Sequence, residues 1–153
     1  MMGNILRKQD RQTMLRRFEQ INENSERQWG KMNVNEMVCH ITDQLRMALG
    51  EIDYRDKSSF VSRTIIKFLA VYVIQAPKEK VQTLYELDPK KGGTQPTQLE
   101  QDKTVFVEKL QMLCDRAPDE PLHAHGTFGK MSRRQWGILI YKHLDHHFRQ
   151  FNA

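Results

Sequence analysis

Residues 141–151 read YKHLDHHFRQF and contain three of the six histidines of the chain. His143 and His147 are four residues apart, a spacing that places both side chains on one face of an α-helix. Apolar residues share that face, so the two imidazoles interrupt a stripe that would otherwise belong to the core; they are Trp136, Leu139, Ile140 and Phe151. The pattern predicts a helix over 132–151 with two polar rings in its buried face.

Two buried imidazoles need a partner for each of their nitrogen atoms. One divalent metal ion satisfies a nitrogen of both rings at once, and histidines at i and i+4 are a known ligand spacing. A buried hydrogen-bond network would also satisfy them. The spacing alone leaves these two alternatives open.

A metal site needs a further ligand, and His40 has a suitable position. It lies beside the apolar face of a predicted helix over 33–50, formed by Val34, Met37, Ile41 and Leu45. With a rise of about 1.5 Å per residue, His40 lies roughly 10 Å into its helix and the histidine pair roughly 16–22 Å into theirs. These depths coincide if the two helices are antiparallel. We therefore predict a metal site on His40, His143 and His147.

Three other residues are candidates for a catalytic role, although none is marked as a base or a nucleophile. Asp43 lies one turn beyond His40 and is predicted either to support a ligand imidazole or to be a solvated carboxylate. His146 is about 80–100° from the centre of the stripe and belongs to its flank. His125 is in a predicted loop, where it either approaches the metal or bonds to the turn before the last helix. The role of the neighbouring His123 is left open.

A thiol next to His40 is not expected to take part in chemistry. Cys39 is about 100° around the predicted helix from His40. We therefore predict that it is neither a ligand nor a nucleophile.

Composition is typical of one soluble globular domain over residues 1–153, with 39% hydrophobic and 28% charged residues. The net charge of +5 would permit nucleic-acid binding, but lysine and arginine are scattered, so no nucleic-acid partner is expected. The two cysteines form no CxxC pair, and the first residues lack the apolar core of a signal peptide. These features predict a cytoplasmic protein.

Hydrophobic periodicity predicts an all-α fold of five helices. They cover about 10–27, 33–50, 59–75, 97–116 and 132–151, with Met14, Phe18 and Ile21 on the apolar face of the first. Three helix starts carry the capping-box pattern, namely Asn33 with Glu36, Thr97 with Glu100, and Ser132 with Gln135. Long polar connections over 77–96 and 117–131 are predicted to shape a pocket.

The most apolar stretch, residues 64–76, raises the question of a membrane. It is shorter than the roughly 20 residues that span a bilayer, and it contains Lys67. We therefore predict a buried helix here and no membrane partner.

Three segments together resemble a branch of the DinB-like superfamily: WGKMNVNEMVCH at 29–40, HGTFGKMS at 125–132 and YKHLDHHFRQF at 141–151. The likeness extends from about residue 10 to the end. It implies an up-down-down-up four-helix bundle, with the helix over 59–75 inserted between bundle helices two and three. It also implies a three-histidine metal site, at positions that correspond to His40, His143 and His147.

The resemblance also indicates a class of chemistry. Some members of the superfamily are transferases or isomerases that use low-molecular-weight thiols, and others are called metal-dependent hydrolases. This chain departs from the common pattern in having FRQ at 148–150, where members often have a glycine. It also has Gly126 where relatives often have proline after the histidine. Neither change removes a ligand.

The resulting expectation is a metal-dependent enzyme with an open site. Three imidazoles leave at least one position free on a divalent ion such as Zn, Ni, Fe or Co, and the residue types do not distinguish these metals. The substrate would be a small molecule, with low-molecular-weight thiols among the options. One alternative is a non-catalytic domain in which a metal or a histidine cluster ties helices together. Another is a module that binds a partner, including a second copy of the chain in a homodimer.

Overall fold

The computed structural model describes residues 2–75 and 83–153, and within them the regular secondary structure is helical. The all-α class is thereby confirmed. Four α-helices are present, namely α1 (Lys8–Glu19), α2 (Val34–Leu49), α3 (Leu99–Asp115) and α4 (Arg133–Gln150). Two π-helical stretches cover Ser62–Ile66 and Leu69–Val73, and a short 3₁₀ turn covers Tyr85–Leu87. The predicted connection over 77–96 begins outside the described residues.

The two helices that carry the predicted ligands begin where their capping boxes place them. Asn33 accepts a hydrogen bond from the backbone N–H of Glu36 at 2.9 Å, and the Glu36 carboxylate accepts one from the Asn33 N–H at 2.8 Å. Ser132 and Gln135 make the same reciprocal pair at the start of α4. At its other end α2 stops at Gly50, whose φ of 79° is the left-handed conformation that glycine favours.

The capping box predicted at Thr97 is wrong. The Thr97 hydroxyl and backbone N–H both donate to the carboxylate of Asp102, at 2.8 and 2.9 Å, and Glu100 is exposed. A charged acceptor within reach binds these donors, so the threonine does not cap the helix, which begins at Leu99.

The first helix is shorter than the predicted span to Arg27, because α1 ends at Glu19. Beyond it, the Asn22 side chain accepts from the N–H of Asn24 at 2.9 Å, and the Ser25 hydroxyl accepts from the N–H of Asn22 at 3.0 Å. Such local bonds offer the backbone an alternative to the helix. The predicted apolar face is nonetheless buried.

The core forms around α2, which packs against α3 and α4, while α1 packs against α4. Phe18 lies 4.4 Å from Phe106 and 5.7 Å from Phe148, measured between ring centroids, and so joins α1 to α3 and α4. Twelve of the 16 residues of α2 are buried. Polar side chains on α2 must therefore find their partners inside the protein.

The helix predicted over 59–75 exists, but the prediction that its apolar stretch is buried is wrong. Val71 is fully buried, whereas Phe60, Ile65 and Phe68 are 81%, 60% and 56% exposed. The segment lies against α4 along one narrow side only, and the Lys142 ammonium donates to the carbonyl of Ala70 at 2.6 Å. Among the described residues, no helix is long and apolar enough to cross a membrane.

Candidate metal centre

The packing of α2 against α4 brings the three predicted ligand histidines together. The Nε2 atom of His143 lies 2.9 Å from Nε2 of His40 and 3.1 Å from Nε2 of His147. The three ring centroids are 4.6–4.8 Å apart. One nitrogen from each ring lies within 4.8 Å of the others, so the group could hold a metal ion. We call these three residues the histidine group.

In His40 and His143, the ring nitrogen that faces away from the group, Nδ1, contacts a hydrogen-bond acceptor. Nδ1 of His40 lies 2.7 Å from the backbone carbonyl oxygen of Leu87. Nδ1 of His143 lies 2.8 Å from Oε1 of Gln44, which is on the same helix as His40. A carbonyl oxygen has no proton to give, so each Nδ1 carries the proton and donates it.

The third ring is held in the same way by Gln150. Nδ1 of His147 lies 2.8 Å from Oε1 of Gln150, and the Gln150 amide nitrogen donates to the carbonyl of Trp29 at 2.7 Å. The second bond fixes which end of the amide faces the imidazole. His147 therefore also has its proton on Nδ1.

This arrangement leaves three acceptors facing one another. A neutral imidazole with its proton on Nδ1 has an unshared pair on Nε2. Three such electron pairs meet in the histidine group, with Nε2 of His143 at 2.9 Å from that of His40 and 3.1 Å from that of His147, and all three atoms within 4.8 Å of one another. A cation satisfies all three together, so the residues fit a metal ion through neutral nitrogen donors.

Protonation of the rings is opposed by their surroundings. Burial lowers the pKa of His143 and His147 well below the usual value, and repulsion from the neighbouring imidazoles lowers both further. Burial also lowers the pKa of His40, against the opposing effect of its bond to Leu87. His40 and His147 are buried, whereas the residue His143 keeps partial exposure.

Asp43 is fully buried, so the prediction of a solvated carboxylate is wrong. Its carboxylate accepts from the Thr94 N–H at 2.7 Å and from the Thr94 hydroxyl at 2.6 Å, and it pairs with Arg46 at 3.2 Å. Asp43 thus fixes the loop before α3 onto α2. The hydrogen bonds that orient the imidazoles come from Gln44, Gln150 and Leu87 instead.

His125 stabilises the turn before α4, as one of its two predicted roles stated. Its Nδ1 accepts from the backbone N–H groups of Thr127 and Phe128 at 3.0 and 3.3 Å. Burial lowers the pKa of His125 to about 4, so the ring is neutral and suited to accept. Its side chain lies outside the histidine group.

His146 and His123 also lie outside the histidine group. The His146 ring contacts His147 edge-on at a centroid distance of 5.1 Å, which agrees with a position on the flank of the stripe. His123 is exposed and lies beside the ring of Tyr54. The catalytic roles considered for Asp43, His125 and His146 stay predictions.

Cys39 is adjacent to His40 in sequence but is not part of the histidine group. Burial, followed by the nearby carboxylates of Asp102 and Asp43, raises the pKa of its thiol to about 12. It therefore remains a protonated, buried thiol, as expected of a residue that is neither ligand nor nucleophile.

The three acceptors that orient the rings were not among the residues predicted from the sequence. Gln44 is four residues after His40 and Gln150 is three residues after His147, so helical spacing could have pointed to both. No residue type marks a backbone carbonyl, and the contribution of Leu87 follows only from the fold.

A family model described as "Protein of unknown function (DUF1569)" matches residues 4–153. The chain therefore belongs to this family. Neither the curated proteins nor the solved structures gave a match.

Proposed function

We propose that this member of the DUF1569 family binds one divalent metal ion on His40, His143 and His147 and is a metal-dependent enzyme acting on a small molecule. The proposal rests on one observation: the three Nε2 atoms meet, while the Nδ1 atom of each ring donates a hydrogen bond to an acceptor held in place by the fold. Metal-binding histidines usually have this second hydrogen bond, because it sets the tautomer and the orientation of the ring.

An open site is supported by the number of ligands. Among the described residues, the group contains three histidines and no aspartate, glutamate or cysteine. Structural zinc sites normally have four protein ligands, whereas catalytic sites have three and keep a position for solvent or substrate. When bound, a divalent ion would supply Lewis acidity there. Zn, Ni and Fe all suit imidazole donors.

The resemblance to the DinB-like superfamily supports the reaction class and the topology that we propose. The reaction is thiol transfer or hydrolysis, with a low-molecular-weight thiol as one possible substrate. We also propose the up-down-down-up four-helix bundle, with the helix over 59–75 as its insertion. The observed pairing of α1 with α4, and of α2 with both α3 and α4, is compatible with that arrangement.

A structural metal centre is the second candidate function. The burial of His40 and His147 favours it, as does the way in which the histidine group joins α2 to α4. Here the metal would tie two helices together, and removing it would mainly lower stability.

The metal content of the purified protein tests the proposal. Protein is prepared without an affinity tag or chelator and incubated with Zn²⁺, Ni²⁺ or Fe²⁺. Elemental mass spectrometry should then find about one ion per chain. His147→Ala should lose that ion. His123→Ala is the matched control, because His123 is an exposed histidine outside the group. A wild-type chain that retains no divalent metal would refute the assignment.

Cobalt substitution separates the catalytic from the structural alternative. The visible spectrum of the Co²⁺ protein should change when a small thiol is added, since an open position admits a ligand from solution. A spectrum unaffected by thiols, together with a large fall in melting temperature on metal removal, would favour the structural centre.

A further inference from the structure

We infer that the segment 60–74 is a docking surface for an anionic lipid bilayer, on which the protein lies without spanning it. This inference is independent of the metal site. The segment has the reverse of the usual distribution of side chains, with most of its apolar residues facing solvent. Among the described residues, eight of the twelve large hydrophobic side chains that are exposed lie in this one segment. They define its apolar face: Phe60, Val61, Ile65, Ile66, Phe68, Leu69, Val73 and Ile74.

The segment is held in this orientation by α4 and by the loop before it. Val71 packs into the core on the inner side. Lys142 donates to the carbonyl of Ala70 at 2.6 Å and also to that of Ile74, near the end of the helical stretch. Lys67 donates to the carbonyl of Lys130 at 3.0 Å. These bonds fix the inner side and leave the apolar face outward.

Cations surround the apolar face. Arg63 and Lys67 belong to the segment, the exposed Lys130 lies on the loop whose carbonyl accepts from Lys67, and the exposed Arg149 donates to Gln75 just beyond the end of the segment. Among the described residues, two carboxylates pair with these four groups: Asp56 lies 3.1 Å from Arg63, and Asp145 lies 3.0 Å from Arg149. In the described part of the chain, these four cations and two carboxylates leave a net charge of +2 beside the face. An apolar helical surface flanked by lysine and arginine is typical of elements that lie in the interface of an anionic membrane.

The same charges disfavour a second copy of the chain as the occupant. A two-fold dimer buries one patch against the identical patch, which would bring the cations of both copies together. An anionic bilayer instead offers acyl chains to the apolar residues and headgroups to the cations. The sequence-based expectation of no membrane partner rested on the length needed to span a bilayer, and a helix lying on the surface does not need that length.

Vesicle co-sedimentation of the full chain tests the inference. Binding to vesicles of 70% phosphatidylcholine and 30% phosphatidylserine should be at least about tenfold stronger than binding to pure phosphatidylcholine, and should weaken in 0.5 M salt. The double variant Phe60→Asp, Phe68→Asp should bind at least about tenfold more weakly. Lys130→Gln should cost about fivefold, the effect of one cation near the surface. Val107→Asp is the control, since Val107 is an exposed apolar residue on α3.

Three results would overturn the inference. The first is equal or absent binding to the two kinds of vesicle. The second is a dimer, seen by analytical ultracentrifugation without lipid, that the double variant abolishes, because a second copy would then cover the face. The third is a lower melting temperature of the double variant without lipid, which would mean that another part of the chain covers it.

Discussion

Replacing Gln44 tests whether the acceptors behind the imidazoles prepare the histidine group for a metal. Gln44→Leu keeps the approximate size of a side chain that is only 4% exposed, but it removes the oxygen 2.8 Å from Nδ1 of His143. The Nδ1–H is then a buried donor without an acceptor, which costs about 1–3 kcal/mol. The ring is also free to adopt its other tautomer, with the proton on the nitrogen that faces the metal.

The expected result is a fall in metal affinity. Loss of a hydrogen bond to a ligand histidine typically weakens binding by about 10- to 100-fold, equivalent to about 1.4–2.7 kcal/mol. Gln44→Glu retains an acceptor at the same position and should recover most of the affinity. We would measure both variants by titrating Zn²⁺ into metal-free protein in competition with a chromophoric chelator.

Two outcomes would refute this reasoning. An affinity of Gln44→Leu within twofold of the wild type would show that the acceptor does not position His143. An equal loss in Gln44→Leu and Gln44→Glu would show that packing, and not the acceptor, determines the effect. The free energy of unfolding of the metal-free variants, measured in urea with chelator present, separates a general loss of stability from a local one.

Three further predictions concern the scaffold. Burial lowers the pKa of His125 to about 4, from a value near 6.5 in the unfolded chain. Between pH 6.5 and 4 the unfolded chain therefore binds more protons than the folded one. As the pH falls through this range, up to about 3 kcal/mol of the free energy of unfolding should be lost. His125→Asn, which can accept from the same turn, should lose less between pH 7 and 5 in urea titrations, and parallel curves would contradict this. Asp43→Ala should lower the free energy of unfolding by about 1–3 kcal/mol, because two part-buried Thr94 donors lose their acceptor; a change under 1 kcal/mol in chemical denaturation would argue against that role. Ser132→Ala should cost about 1 kcal/mol through the lost cap of α4, seen as a lower melting temperature, and an unchanged one would count against the cap.

The meeting of the three histidines could be predicted because it depends on periodicity. His143 and His147 share a helical face with core residues, and His40 borders the apolar face of its own helix, so burial of those faces brings the rings inward. The orienting bonds depend on more than one element. Leu87 reaches His40 from a turn 47 residues further along the chain, and its contribution is a backbone atom. No residue pattern encodes such a contact.

Two of the wrong predictions, the Thr97 cap and the buried apolar helix, have one physical origin: the outcome depends on contacts with residues outside the local sequence pattern. Thr97 has the residue spacing of a helix cap, but the carboxylate of Asp102 binds its donors. The segment 60–74 has the composition of a core helix, but α2 is already surrounded by neighbours, and only the side with Val71 finds a place. Periodicity identifies the residues that could be buried. Which of these residues are in fact buried depends on how many helix faces the core can accommodate.

Proton and metal would compete for the same three Nε2 atoms, and this links acid stability to the proposed metal site. Burial lowers the pKa of all three rings, so below the usual value near 6.5 the unfolded chain binds more protons than the folded one. The metal-free protein should therefore lose stability as the pH falls below this value. A metal present at about 100 times its dissociation constant would add about 2.7 kcal/mol, but only while the rings are deprotonated. At neutral pH the lowered pKa values keep them so, and a metal binds without first displacing protons. The burial that makes the histidine group unstable in acid is thus the same feature that makes it ready for a metal at neutral pH.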